Sequence, residues 1–286
     1  NGISADGATI AATEFTGGAR ALRWTSASGF VNLGSIPGGT GALANGISAD
    51  ATTIIGRGGT ANGAHAFRWT SGMQDLGVLA GGASSEATGV NSNGTAVVGQ
   101  SDSANGSRAF RWTNPSVGGS GMQSLGVLPG GSNSLAFGIS GDGTTVTGSG
   151  NSASGTRAFR WNSADGNGMQ SLGLIAGFTF SEGYAVSGDG SRIVGGCGSI
   201  NASAAFLWTS DLGMVDLNTY LPTLGLNLTG WTLDIAQAIS LDGSVIAGNG
   251  TFGGEGRAWI VSGLPTAPTC PADLDNDGDF QSGLTR

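Results

Sequence analysis

Lysine does not occur in this chain, histidine occurs once and cysteine twice. Charged residues of either sign make up 10% of the 286 residues, where a soluble domain usually carries roughly 25%. All eleven basic residues are arginine, and the balance is acidic, with a net charge of −8. Nucleic-acid binding needs a basic stripe that displaces counterions from phosphates, and this sequence has none. One histidine and two cysteines are too few for a structural zinc site. A Ser-His-Asp arrangement would depend on His65 alone. No apolar run approaches the ~18 residues of a membrane-spanning helix, and no motif for an organic cofactor stands out.

Glycine is what the chain has in excess, at 56 residues, without the every-third-position spacing of collagen. It belongs to a repeat. NGISADGATI at 1–10 returns as NGISADATTI at 45–54 and as GISGDGTTV at 138–146, with looser copies at 89–97, 185–193 and 238–246. Downstream of these stand ALRW, three copies of AFRW, AFLW and AWIV, and four copies carry a further element such as MQSLGVL. The aliphatic residue before the turn advances Ile3, Ile47, Val90, Ile139, Val186, Ile239, in steps of 43–53 residues. The apolar residue of the second motif advances Leu22, Phe67, Phe110, Phe159, Phe206, Trp259, in steps of the same range. Two rulers that agree make the unit real, and its length varies only in loops.

Each unit reads as four short strands. A Ser-x-Asp-Gly turn closes the first hairpin. RAFRW alternates faces, with Phe159 and Trp161 on one side and Arg160 on the other. A short helical turn is expected near 217–224, and elsewhere the chain is all-β. Six units of four strands predict a six-bladed β-propeller over residues 1–262, with a β-solenoid as the main rival. The small residues Ala12, Gly56, Gly99, Gly148, Gly195 and Gly248 would let strands approach closely near a crowded axis. A Pro/Thr linker (263–272) and an acidic segment (273–286) follow.

On the GIS-x-DG, AFRW and MQ-x-LG-x-L-x-GG motifs together, about 260 residues resemble the HAF family of repeats, named for a tripeptide present here as His65-Ala66-Phe67. The resemblance implies a secreted or cell-surface protein and little about activity. Cys270-Pro271-Ala272 with DLDNDGD (273–279) resembles the start of a dockerin-type, EF-hand-like module. Asp273, Asp275, Asp277 and Asp279 stand at alternate positions that converge on one hard cation, so Ca2+ is the candidate cofactor. Leu284 stands where a bidentate acid is needed, and a merely solvated acidic tail is the alternative. Cys197 and Cys270 are a possible disulfide if the compartment is oxidising.

The turn residues Asp6, Asp50, Asn93, Asp142, Asp189 and Asp242 are expected to close hairpins, although they could present calcium or glycan contacts. Arg23, Arg68, Arg111 and Arg160 are expected to pack between blades, with anionic-sugar binding as the other use. The last blade lacks its fourth strand within this sequence. An unpaired edge is a template for pairing with another chain, which makes self-association the expected partnership and extracellular glycans a second one. The expected function is therefore a non-catalytic extracellular structural or surface protein, self-assembling into a filament or oligomer by strand complementation. The alternative is a lectin-like propeller with a calcium-binding attachment tail. A carboxylate-dependent hydrolase needs two placed acids, and none stands out beyond the turns and tail, so no enzyme is expected.

Overall fold

The computed structural model describes residues 1–200 and 202–265. Six antiparallel sheets follow one another along the chain, one per repeat, and form a β-propeller. Blade one comprises Gly2–Ile3 (β1), Thr9–Glu14 (β2), Arg20–Thr25 (β3) and Gly29–Asn32 (β4). Blade two comprises Ala42–Ile47 (β5), Ile54–Thr60 (β6), Gly63–Trp69 (β7) and Met73–Asp75 (β8). Blade three comprises Ser85–Val90 (β9), Ala96–Ser101 (β10), Arg108–Thr113 (β11) and Gly121–Ser124 (β12). Blade four comprises Ser134–Ile139 (β13), Thr145–Ser152 (β14), Gly155–Asn162 (β15) and Met169–Gly173 (β16). Blade five comprises Phe180–Val186 (β17), Arg192–Gly198 (β18), Ser203–Thr209 (β19) and Gly213–Asp216 (β20). Blade six has three strands, Trp231–Ile239 (β21), Ile246–Phe252 (β22) and Glu255–Val261 (β23). The expected helical turn is α1, Leu217–Thr223, capped by the Asp216 carboxylate on the Asn218 N–H and burying Leu217 and Leu221.

Inside each blade a glycine, a bulge and an aromatic ring make one unit. In blade two the β5–β6 register shifts between Ala44 and Gly46, and Gly56 lies opposite Phe67 on β7. A Cβ on Gly56 would stand 1.9 Å from the Leu43 carbonyl oxygen and 3.0 Å from the Phe67 ring. Gly148 faces the Leu135 carbonyl at 1.9 Å, and Gly195 faces the Glu182 carbonyl at 2.0 Å and the Phe206 ring at 2.7 Å. The close approach expected at these small residues is thus between strands of one blade, not across the axis. An aromatic ring over a cross-strand glycine restores the contact area that the missing side chain gives up.

Between blades the packing has a direction. Phe67 fills the interface with blade one, among Ala11, Ala21, Leu33 and Ile36. Phe110 does the same on Ile55 and Ala66 of blade two, Phe159 on Val98 and Ala109 of blade three, and Phe206 on Ala158 of blade four. Trp259 takes this place against Val194, Ala205 and Leu207. These faces alternate with period two, so consecutive residues serve opposite neighbours.

Serine clasps reinforce three of the interfaces. The Ser85 hydroxyl accepts from the Ala66 N–H at 2.8 Å and donates to the Gly77 carbonyl at 2.6 Å. Ser134 joins Ala109 and Gly126 in the same way, and Ser181 joins Ala158 and Gly173. After β23 the chain returns over blade six. Leu264 is buried and donates to the Ser244 carbonyl, while the Arg192 guanidinium donates to the Gly243 and Pro265 carbonyls.

Urea denaturation checks these assignments. Phe159→Ala is expected to cost about 3–5 kcal/mol, because a fully buried ring leaves a cavity. Gly148→Ala is expected to be severely destabilising, since the obstructing atom is backbone. Trp259 behaves differently: its indole Nε1 is buried with no partner among the described residues, and an unpaired buried donor costs about 1–3 kcal/mol. Trp259→Phe installs the ring that four other blades use and is expected to stay within about 1 kcal/mol of the parent.

Candidate functional site

The β1–β2 turn and its equivalents all emerge at one mouth of the propeller. In five of the six, a serine hydroxyl donates to an aspartate Oδ1 two residues on, at 2.5–2.6 Å: Ser4–Asp6, Ser48–Asp50, Ser140–Asp142, Ser187–Asp189 and Ser240–Asp242. The same Oδ1 accepts a backbone N–H, from Ala8, Thr52, Thr144, Ser191 and Ser244. The serine oxygen in turn accepts the N–H five residues on, as Thr145 gives to Ser140. In blade three Asn91 and Asn93 make the equivalent contacts without the charge. Gly143 closes its turn at φ 80°, and Ala51 does so at φ 62° without the help of glycine.

The turns are tied to one another. Ala5 donates to the Ala49 carbonyl, Asp50 to Ser92, Ser92 to Gly141, Asp142 to Gly188 and Gly188 to Leu241, at 2.8–3.1 Å. Arginines brace them from the preceding blade: Arg68 Nε donates to the Gly94 carbonyl at 3.0 Å and Arg111 Nε to the Gly143 carbonyl at 3.1 Å. Arg68 also stacks 5.8 Å above the Trp112 ring. Arg160 instead pairs with Asp165 at 2.8 Å. Arg68 and Arg111 therefore pack between blades as expected.

Hydrogen bonding holds the rim aspartates below the ordinary carboxylate range. The Ser4 hydroxyl and Ala8 N–H lower Asp6, and the Ser240 hydroxyl with the Ser244 groups brings Asp242 to about 2. Burial pushes Asp50, Asp142 and Asp189 upward, but their serine partners and the groups two residues on outweigh it, leaving all three below the ordinary carboxylate range. The Asp189 charge acts upward on Asp142, so neighbouring carboxylates feel each other.

The remaining polar groups are spent on the chain itself. His65 Nδ1 meets the Asp75 carboxylate at 2.9 Å, and among the described residues no hydroxyl hydrogen-bonds to that imidazole. A cavity of about 190 Å3 between blades two and three is lined by Arg57, Glu86, Gln100 and Asp102. Glu86 there accepts from Asn45 at 2.9 Å and lies 3.8 Å from Arg57. Tyr184 donates to Glu182 at 2.6 Å and stacks on Phe137, with ring centroids 5.7 Å apart. Its hydroxyl is pushed up by burial and by that carboxylate.

Among the described residues no group of three or more His, Cys, Asp or Glu is placed to hold a metal ion. Asp273, Asp275, Asp277, Asp279 and Cys270 lie outside the described residues. Cys197 is buried in β18, with its sulfur 3.5 Å from that of Met214. Among the described residues, no helix is long and apolar enough to cross a membrane.

No protein-family model matches the chain, and no curated protein does. Solved structures do. TolB from Acinetobacter baumannii is similar at a TM-score of 0.54 and 12% identity, over 90% of this chain and 61% of that one. A putative TolB from Agrobacterium tumefaciens gives 0.52 and 13%, over 92% and 89%. A prolyl endopeptidase gives 0.55 and 11%, over 85% of this chain and 38% of its own. The chain thus spans less than two thirds of the first and third of these proteins. At such identities the likeness shows the propeller fold alone.

These neighbours overturn the expectation of a self-assembling structural protein, and the lectin-like alternative with it. The first expectation rested on low charge, the lack of an isolated catalytic group and an unpaired sheet edge. The propellers that share this fold at 11–13% identity are TolB proteins and a prolyl endopeptidase, and they support neither a filament nor a lectin role. The serine clasps escaped the sequence reading, although their signal was present: a serine eight residues before the turn residue in units three, four and five.

Asn93 predicts the outcome of neutralising the rim. Asp142→Asn and Asp189→Asn should keep the turn, and so the circular dichroism spectrum, at pH 7. These aspartates are lowered on folding, so their stabilisation is present above the unfolded value near 4 and is lost as pH falls through the folded values. Acid titration should therefore show a flatter loss of stability below about pH 4 in the double variant. An unchanged acid limb would contradict the assignment.

Proposed function

We propose that this chain is a non-enzymatic binding propeller whose partner is cationic, an arginine- or lysine-rich protein segment docking on the aspartate rim. One observation carries the reading. Five carboxylates from five blades stand at one mouth, each fixed in place and lowered in pKa by its own serine and backbone donors. Turn closure alone does not require the charge, since Asn93 makes the same contacts. The absence of lysine and the net charge of −8 favour the same class of partner. Among the described residues His65 and Asp75 have no nucleophile within their hydrogen-bond set, which supports a binding role over a hydrolytic one. The HAF resemblance adds an extracellular setting, where Ca2+ at Asp273, Asp275, Asp277 and Asp279 would be a separate, tail-borne feature.

Fluorescence anisotropy with a labelled arginine/lysine-rich peptide tests this. The parent should bind, and binding should weaken steeply between low and physiological salt. The variant with Asp6, Asp50, Asp142, Asp189 and Asp242 all changed to Asn should lose roughly tenfold to hundredfold in affinity with its fold intact. Equal binding by that variant, or equal binding of an acidic control peptide by the parent, would sink the proposal.

A further inference from the structure

The six repeats provide five interfaces and leave two matching faces uncovered. The alanine before the aromatic position is Ala21, Ala66, Ala109, Ala158 and Ala205 in blades one to five, each at 0% exposure. In blade six it is Ala258, and it is exposed. Its neighbour Ile260 is 71% exposed, where Arg68 and Arg111 reach into the next blade. The opposite face shows the reverse order. Phe67, Phe110, Phe159, Phe206 and Trp259 are buried, but Leu22 of blade one is only half-buried. Around Leu22 stand Ile10 and Trp24, half-buried, with Ile3 and Phe30 at 60% and 65% exposure. Their counterparts Ile47, Ile54, Trp69 and Met73 all pack in the blade-one/blade-two core.

The turn-to-turn hydrogen bonds stop at the same place. They run from Ala5 to Leu241, and among the described residues none joins blade six to blade one. No strand of blade six packs on blade one as neighbouring blades pack elsewhere.

We propose that one further unit of this same repeat type seats between blade six and blade one. Its aromatic face covers Ala247, Ala258 and Ile260, and its small-residue face receives Ile10, Leu22 and Trp24. The two faces continue the series of five interfaces, in residue type and in direction, so the occupant they fit is a blade. Ala247-Ala258-Ile260 repeats the arrangement Val194-Ala205-Leu207, which receives Trp259, with a smaller first residue. A phenylalanine suffices as the incoming aromatic, since Ala11 and Ala21 receive Phe67 in the same way. A second copy of the chain is the poorer fit, because joining two copies by these faces leaves the same two faces open at the ends. One inserted unit covers both.

Two measurements test this. The first uses spin labels at Leu22→Cys and Ile260→Cys in the full chain with Cys270→Ser. A blade-wide gap places these strands about 20 Å apart, two sheet spacings, before label length is added. A separation near one spacing, about 10 Å, would mean that the ring shuts on itself and would overturn the proposal. A distance that depends on protein concentration would point to a second copy and do the same. The second measurement grafts residues 162–216 after Val261, which supplies a fourth strand for blade six and one complete further blade. Maleimide labelling of Ala258→Cys should fall about tenfold or more in the grafted chain, and its thermal midpoint should rise. Unchanged labelling in a folded graft overturns the proposal. If the graft fails to fold, the spin-label distance still decides.

Discussion

An aromatic ring laid over a glycine is the contact on which the rest of this propeller depends. The glycine is needed twice over. A side chain there would collide with a carbonyl of the bulged first strand, as at Gly56 with Leu43, and would displace the ring of the third strand. With no side chain in the way, the ring lies flat enough for its far side to reach the alanine of the preceding blade. One residue choice therefore sets spacing within a blade and between blades. Because the contact is directional, every blade has a giving and a receiving face, and the stack has two unlike ends.

Charge in this chain is positioned by the same repetition. A turn that recurs once per blade brings its aspartate to the same mouth each time. The arginines recur on the opposite face of the third strand and are drawn beneath the next turn, where Arg68 and Arg111 are spent on carbonyl oxygens. The carboxylates keep their outward charge while the guanidiniums are partly buried. The rim is acidic because of where the two signs end up, more than because of their numbers.

Much of the fold was legible in the sequence. The repeat period, the turn residues and the period-two alternation of RAFRW gave the strand count, the all-β class and the short helix at α1. Local chemistry repeated six times is a strong signal. The serine clasps were visible as a spacing but carried no meaning without knowing which strands of adjacent units meet. The arginines showed the same limit: Arg160 has the motif position of Arg68 and Arg111, yet it pairs with Asp165 because that carboxylate lies in its own blade's loop. Function was read least well, since a repeated turn fixes where a carboxylate stands and not what it meets.

Each unit carries its own rules in its residues: which turn, which alternate, and which must be small. Those are short-range requirements of backbone sterics and pleat, and they hold wherever the segment is placed. Which alanine is covered, which arginine is braced and which face is left open depends on how the blades stack. Ala205 and Ala258 occupy the same position in the same motif, and one is buried while the other is exposed. The difference lies in whether a neighbouring blade is present, which a residue's own local sequence does not encode.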